Sequence, residues 1–60
     1  MNINLNGDLT PGVFVINKDK NDWGIGQIQS SIDNKITVNF ENVGKKIINP
    51  EKVNLEIIKI

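Results

Sequence analysis

Alternation of apolar and polar side chains is the sequence feature that most constrains the fold of this chain. In KITVNFE, residues 35–41, the apolar residues Ile36, Val38 and Phe40 alternate with polar or charged ones. A period of two places all three apolar side chains on one face of a β-strand. No segment keeps the apolar spacing of 3.6 residues that marks an amphipathic helix. The sequence therefore predicts an all-β protein.

Four more segments have the composition of short strands, and turn residues separate them. They are VFVIN at residues 13–17, the segment 24–31, a strand after the turn at Gly44, and the alternating segment 53–57. In a chain of 60 residues, closing the sheet on itself removes free edges that would pair with other molecules. We therefore predict a small five-stranded SH3-like barrel.

The strand at 24–31 and the strand KITVNFE are predicted to form a hairpin. Aligning their inward faces puts Gly26 opposite Phe40. Because Gly26 has no side chain, this register leaves room for the ring to lie across the pair. The same register leaves a three-residue loop, 32–34, in which we predict the left-handed conformation for Asn34.

A second hairpin is predicted to follow directly. The same alternation places Phe40 opposite Ile47 and leaves a two-residue turn that ends at Gly44, with positive φ at this glycine. Glu41 then faces Lys46 on the outer surface, and we expect an exposed ion pair that contributes about 0.5 kcal/mol.

The two ends of the chain differ from the middle. Residues 1–10 are rich in Asn and predict a flexible lead-in to a domain at 11–60, although Ile3 and Leu5 alternate and would suit a short edge strand or a cover for apolar surface. The last residues, LEIIKI, are predicted to pair within the barrel, and a dimer through this strand is the alternative. No segment resembles a signal peptide or a membrane span, so we expect a cytoplasmic protein.

Composition excludes several kinds of chemistry. The chain has no Cys and no His, which removes thiolate metal sites, disulfides and the usual general base. Seven lysines balance seven acidic residues, so no net positive field attracts a phosphate backbone. Gly24 and Gly26 do not form a dinucleotide fingerprint, because Gln29 occupies the third glycine position and no helix follows. We predict a protein without enzymatic activity, cofactor or metal ion.

Four motifs in this chain have a familiar order. They are PG-x-x-V from Pro11, WG-x-G-x-I-x-S from Trp23, ITVNFE-x-x-GKK from Ile36, and V-x-LE from Val53. In this order they resemble a small bacterial family described only as a domain of unknown function. They are also similar to the Tudor-like C-terminal domain of UvrD/PcrA-type helicases and, more distantly, to the RNA-polymerase-interacting domains of CarD-like transcription factors.

The resemblance covers residues 11–56 and implies an SH3-like domain that binds a protein, typically RNA polymerase, and catalyses no reaction. The helicase domains carry polar or basic residues and a His where this chain has Phe14, Ile16 and Asn17. This strand therefore presents a more apolar outer face than theirs. We expect a monomeric adaptor for RNA polymerase or other transcription or repair proteins.

The predicted partner-binding residues are Trp23, Phe14, Ile16 and Ile25. If the strands alternate as predicted, the last three side chains lie on the outer face of adjacent strands. Such a group forms a patch that favours a binding partner, unless the N-terminal segment covers it. For Trp23 two interpretations stay open, a lid on one end of the barrel and an anchor in the partner site.

Direct binding of nucleic acid is the alternative hypothesis. In that case Trp23 or Phe14 would stack on a base, and lysines would lie near phosphates. The candidate lysines are Lys18, Lys20, Lys45 and Lys46. Acidic residues lie among them in the sequence, which favours a solvated surface of mixed charge. The two hypotheses differ in salt dependence, which is strong only for binding to phosphates.

Overall fold

The structure, a computed structural model, describes residues 9–59. It contains five strands and one short 3₁₀ helix, which confirms the all-β prediction. The elements are β1 (Phe14–Asn17), the 3₁₀ helix (Asn21–Trp23), β2 (Gly26–Ile32), β3 (Lys35–Phe40), β4 (Gly44–Ile48) and β5 (Leu55–Ile58). No helix of the described part is long and apolar enough to cross a membrane.

The five strands form one antiparallel sheet in the order β4-β3-β2-β1-β5. The first strand lies between β2 and the last strand, so the two ends of the described chain meet in the sheet. The strands β4 and β5 occupy the two edges. They do not pair with each other within residues 9–59, so the sheet is open where a closed barrel was predicted.

One face of the sheet, called the inner face below, carries the core. Its buried apolar side chains are Val15, Ile28, Ile36, Val38, Phe40 and Ile48. Leu9, Val13, Trp23, Val53, Leu55 and Ile57 pack against them. Each core residue on β3 was predicted to be apolar and inward by the period of two, and this prediction is confirmed.

The register of β2 against β3 is as predicted in its first half. Ile28 lies opposite Val38 and Gly26 lies opposite Phe40. A Cβ atom on Gly26 would lie 2.6 Å from Cδ1 of the Phe40 ring. The observed position of the ring therefore requires glycine at residue 26. The glycine at this position is therefore a packing requirement of the core.

The second half of this hairpin corrects the prediction. A β-bulge at Gln29 inserts one extra residue into β2, and the register shifts between Ile28 and Ser30. The predicted loop 32–34 shortens to two residues, since Ile32 now pairs with Lys35. The positive φ, 55°, belongs to Asp33, and the prediction of Asn34 was wrong. An inserted residue changes the side on which every later residue lies, so an alternation argument fails beyond it.

The predicted register of the next hairpin is also wrong. Phe40 pairs with Gly44, and Lys46 lies opposite Val38. The turn spans residues 41–43, and Gly44 has the predicted positive φ, 77°. Gly44 thus lies directly after the turn as the first residue of β4, where a positive φ favours glycine.

This change of register exchanges the surroundings of two side chains. Ile47 was predicted to face Phe40, but it pairs with Thr37 on the outer face and is 73% exposed. Glu41 was predicted to pair with Lys46, but its carboxylate accepts a hydrogen bond from the backbone N–H of Ile25, at 3.1 Å. The ion pair between Glu41 and Lys46 is therefore replaced by a link between the turn and the start of β2.

The 3₁₀ helix between β1 and β2 was not predicted from the sequence. The turn is held by backbone hydrogen bonds from Trp23 N–H to the Lys20 carbonyl, at 3.0 Å, and from Gly24 N–H to the Asn21 carbonyl, at 3.1 Å. Its sequence, NDW, is too short to show a helical period. The predicted roles of Ile3 and Leu5 fall outside the described residues.

Candidate functional site

Strand β1 carries apolar side chains on both faces of the sheet. Val15 is fully buried on the inner face, and the half-buried Phe14 and Ile16 alternate with it on the outer face. Phe14 pairs with Gln27 of β2 on one side and with Ile58 of β5 on the other. The outer face of β1 is thus more apolar than a solvated sheet face requires.

Ile25 joins these side chains from the residue before β2. Its neighbour Gly26 is buried on the inner face, so alternation directs Ile25 outward. Phe14 and Ile25 line one shallow groove, of about 460 Å³. We use the name outer patch for the half-buried residues Phe14, Ile16, Ile25 and Ile58.

The outer patch unites three of the predicted partner-binding residues and adds a fourth. Ile58 was not predicted, although it directly follows the alternating segment 53–57, and the same alternation would place it on the outer face. The exposed amides Gln27 and Asn39 also line this groove. Such a surface offers apolar contact area and hydrogen-bonding groups together, as protein interfaces do.

Trp23, the fourth predicted residue, lies on the inner face. Its ring packs edge-on against Phe40, with 5.1 Å between ring centroids and 69° between ring planes. The ammonium group of Lys46 lies 5.2 Å from the centroid of the Trp23 ring, within the range of a cation–π contact. The structure therefore separates Trp23 from the outer patch and packs it against the core.

A set of hydrogen bonds from Asn42, called the clasp below, holds Trp23 in this position. The backbone N–H of Asn42 donates to the Trp23 carbonyl at 3.0 Å, and its side-chain amide donates to the Asp22 carbonyl at 2.9 Å. Gly24, with φ of 82°, passes so close to the turn that a Cβ atom would lie 2.9 Å from Oε1 of Glu41. The glycine next to the tryptophan thus permits close contact between two loops, and it forms no ligand cradle.

The four lysines of the nucleic-acid hypothesis do not share one surface. Lys45 lies on the outer face opposite Asn39, whereas Lys46 lies over Trp23 on the inner face. Lys18 donates its backbone N–H to the Asn54 carbonyl next to β5. Lys20 directly precedes the 3₁₀ helix.

A second groove lies beside β5. Its lining is mainly apolar and includes Leu9, Pro50, Val53, Leu55 and Ile57. Sequence reasoning did not indicate this groove, because the open sheet that exposes it was not expected. Within the described residues no three His, Cys, Asp or Glu side chains converge as a metal site would require.

A match to a protein-family model shows which family the chain belongs to. A family model described as "Protein of unknown function (DUF3553)" matches residues 9–58. The chain belongs to this family. No curated protein and no solved structure matches the chain.

The DUF3553 match begins at Leu9 and includes all five strands. Leu9 packs against the core and lines the groove beside β5. The DUF3553 domain thus includes every residue of the outer patch and of the Trp23 clasp. The resemblance to a small domain of unknown function is confirmed by this match.

Proposed function

We propose that this DUF3553 domain is a non-enzymatic adaptor that binds a protein partner through the outer patch. The observation that carries the proposal is the meeting of four half-buried apolar side chains on the face that the core does not use. A contiguous apolar surface with a polar rim is typical of a protein interaction site. The neighbouring amides Gln27 and Asn39 supply such a rim.

The proposed fold is an SH3-like, Tudor-like one. Its support is the position of β1 between β2 and β5, which brings the first and last strands side by side. The resemblance of the four motifs to UvrD/PcrA-type helicase domains and, more distantly, to CarD-like factors supports the same fold. On this basis we propose RNA polymerase, or another protein of the transcription or repair machinery, as the partner in the cytoplasm.

The competing function is direct binding of nucleic acid. It would need an exposed aromatic ring next to several lysines. The inner position of Trp23 and the scattered placement of the lysines favour the protein-binding proposal. The experiment below therefore includes nucleic acid as a competing ligand.

Amide NMR titration of the labelled protein tests the proposal. Purified core RNA polymerase is added first, and single-stranded and duplex oligonucleotides are added in parallel at low and high salt. We expect RNA polymerase to broaden the amide signals of the outer patch, and we expect oligonucleotides to leave them unchanged. Salt-sensitive shifts at Lys45 and Lys46 with oligonucleotide would instead support the nucleic-acid function.

Two variants provide the matched control. Ile16→Ser removes an apolar side chain from the outer patch, and Ile47→Ser removes an exposed one from β4 outside it. We expect Ile16→Ser to abolish the broadening by RNA polymerase and Ile47→Ser to preserve it. Equal loss in both variants would contradict the outer patch as the contact surface.

A further inference from the structure

Two glutamates lie at opposite ends of one row of residues across the outer patch. Glu56 of β5 pairs with Ile16 of β1. Extending the register of β1 against β2 by one residue puts Ile25 next to Ile16. The backbone N–H of Glu41 donates to the Ile25 carbonyl at 2.9 Å, which places Glu41 at the far end. The row reads Glu56, Ile16, Ile25, Glu41.

Both carboxylates are available to a partner. Glu56 and Glu41 are exposed. The hydrogen bond from Ile25 N–H to Oε1 of Glu41 holds this carboxylate beside the patch, and a carboxylate has acceptor capacity for more than one donor. The outer patch is thus an apolar centre between two negative charges.

This arrangement specifies the chemistry of the partner. We propose that the outer patch binds an extended peptide segment that carries a basic residue on each side of an apolar one, an inference that rests on the proposed function. The basic side chains pair with Glu56 and Glu41, and the apolar side chain covers Ile16 and Ile25. The same two charges repel a phosphate backbone, so they favour a protein partner over nucleic acid.

The sheet geometry also sets the spacing of the basic residues. Glu56 and Glu41 are separated by the three strand spacings from β5 through β1 and β2 to β3, about 14 Å in total. An extended chain advances roughly 3.4 Å per residue, so about four residues cover this distance. Alternate side chains of an extended segment share one face. The expected pattern is therefore basic, any residue, apolar, any residue, basic.

Selection from a peptide library tests this pattern. Displayed nonapeptides with a fixed central Leu and random flanks are selected on the immobilised protein, with the Ile16→Ser variant as the reference. We expect enrichment of Lys or Arg two positions before and two positions after the Leu. Enrichment on the wild-type protein without a preference for basic flanks would overturn the charge inference and leave the adaptor function standing. Equal recovery on both proteins would overturn the adaptor surface as well.

Charge-neutral variants then measure how much each of the two glutamates contributes to the affinity for a peptide. The peptide is a synthetic nonapeptide of the sequence GGKGLGKGG. Glu56→Gln and Glu41→Gln are each expected to weaken its binding about two- to fivefold, as exposed ion pairs do. Gln at position 41 keeps an acceptor for Ile25 N–H, so the fold is preserved. Glu51→Gln, an exposed acid in the turn before β5, serves as the control and should leave the affinity unchanged. An equal loss in the control would show a general charge effect and overturn the pairing.

Discussion

The apolar side chains on the two faces of this sheet differ in how far they are buried. On the inner face, Phe40 and Val38 are packed until almost no surface remains exposed, and even one extra carbon at Gly26 has no room. On the outer face, Phe14 and Ile16 are half-buried and lie beside polar groups. The core on the inner face does not include the side chains of Phe14 and Ile16. Apolar character alone therefore does not distinguish the two sets of residues, whereas the extent of their burial does.

The largest expected difference between the faces comes from their two phenylalanines. Phe40→Ala should lose about 3–5 kcal/mol of unfolding free energy, because it leaves a cavity in the core. This loss approaches the whole stability that a core of this size supplies. Phe14→Ala removes the same ring from the outer face and should lose only about 1 kcal/mol. Urea unfolding of both variants checks the comparison, and equal losses would refute the division between the faces.

A smaller effect is expected from filling the space at Gly26. Gly26→Ala should destabilise by about 1–3 kcal/mol, since its Cβ would overlap the Phe40 ring. Replacing Phe40 by Leu in the same chain removes the overlap with the ring and leaves the overlap with the Val38 methyl group, so the two substitutions should be less than additive. A double-mutant cycle from thermal unfolding measures the coupling. Strict additivity would mean that the ring does not depend on this glycine.

The clasp on Trp23 offers the next smaller effect. Asn42→Ala removes the hydrogen bond to the Asp22 carbonyl and should destabilise by about 1 kcal/mol. Asn39→Ala is the matched control, because it truncates an exposed Asn on β3 outside the clasp. Trp23 fluorescence during urea unfolding reports both changes. A control that loses as much as Asn42→Ala would argue against the clasp.

The smallest effect tests the register of β4. Ile47→Thr should change the unfolding free energy by less than about 0.5 kcal/mol, because this side chain is exposed on the outer face. Ile48→Thr, one residue further, places a hydroxyl in the core and should lose roughly 2 kcal/mol. The originally predicted register, with Ile47 facing Phe40, requires a large loss from Ile47→Thr.

The sequence predicted those parts of the fold in which a local pattern determines the structure. Alternation in β3 identified the core residues Ile36, Val38 and Phe40, and aligning the inward faces of the two strands gave the first half of the β2–β3 register. The period of two also placed Phe14 and Ile16 on the outer face. These inferences needed only the two-residue repeat of an extended chain.

The remaining errors came from features that no local pattern reveals. The bulge at Gln29 changes the side on which later residues lie, and no glycine or proline marks it in the sequence. The turn at 41–43 is set by its hydrogen bonds to Asp22, Trp23 and Ile25, which lie far away along the chain. The inner position of Trp23 depends on the same contacts. Tertiary interactions thus determine both the register of β4 and the position of Trp23 on the inner face.

The pairing of β1 with β5 has a kinetic consequence. The hairpins β2–β3 and β3–β4 join neighbouring segments, whereas β1 and β5 come from nearly opposite ends of the described chain. Closing this long loop has the largest entropic cost, so we expect this pairing to form last as the chain folds. Ile58 joins Phe14 only at that step. The outer patch is therefore complete only on a fully folded molecule, and a partner that binds it also selects against nascent or truncated chains.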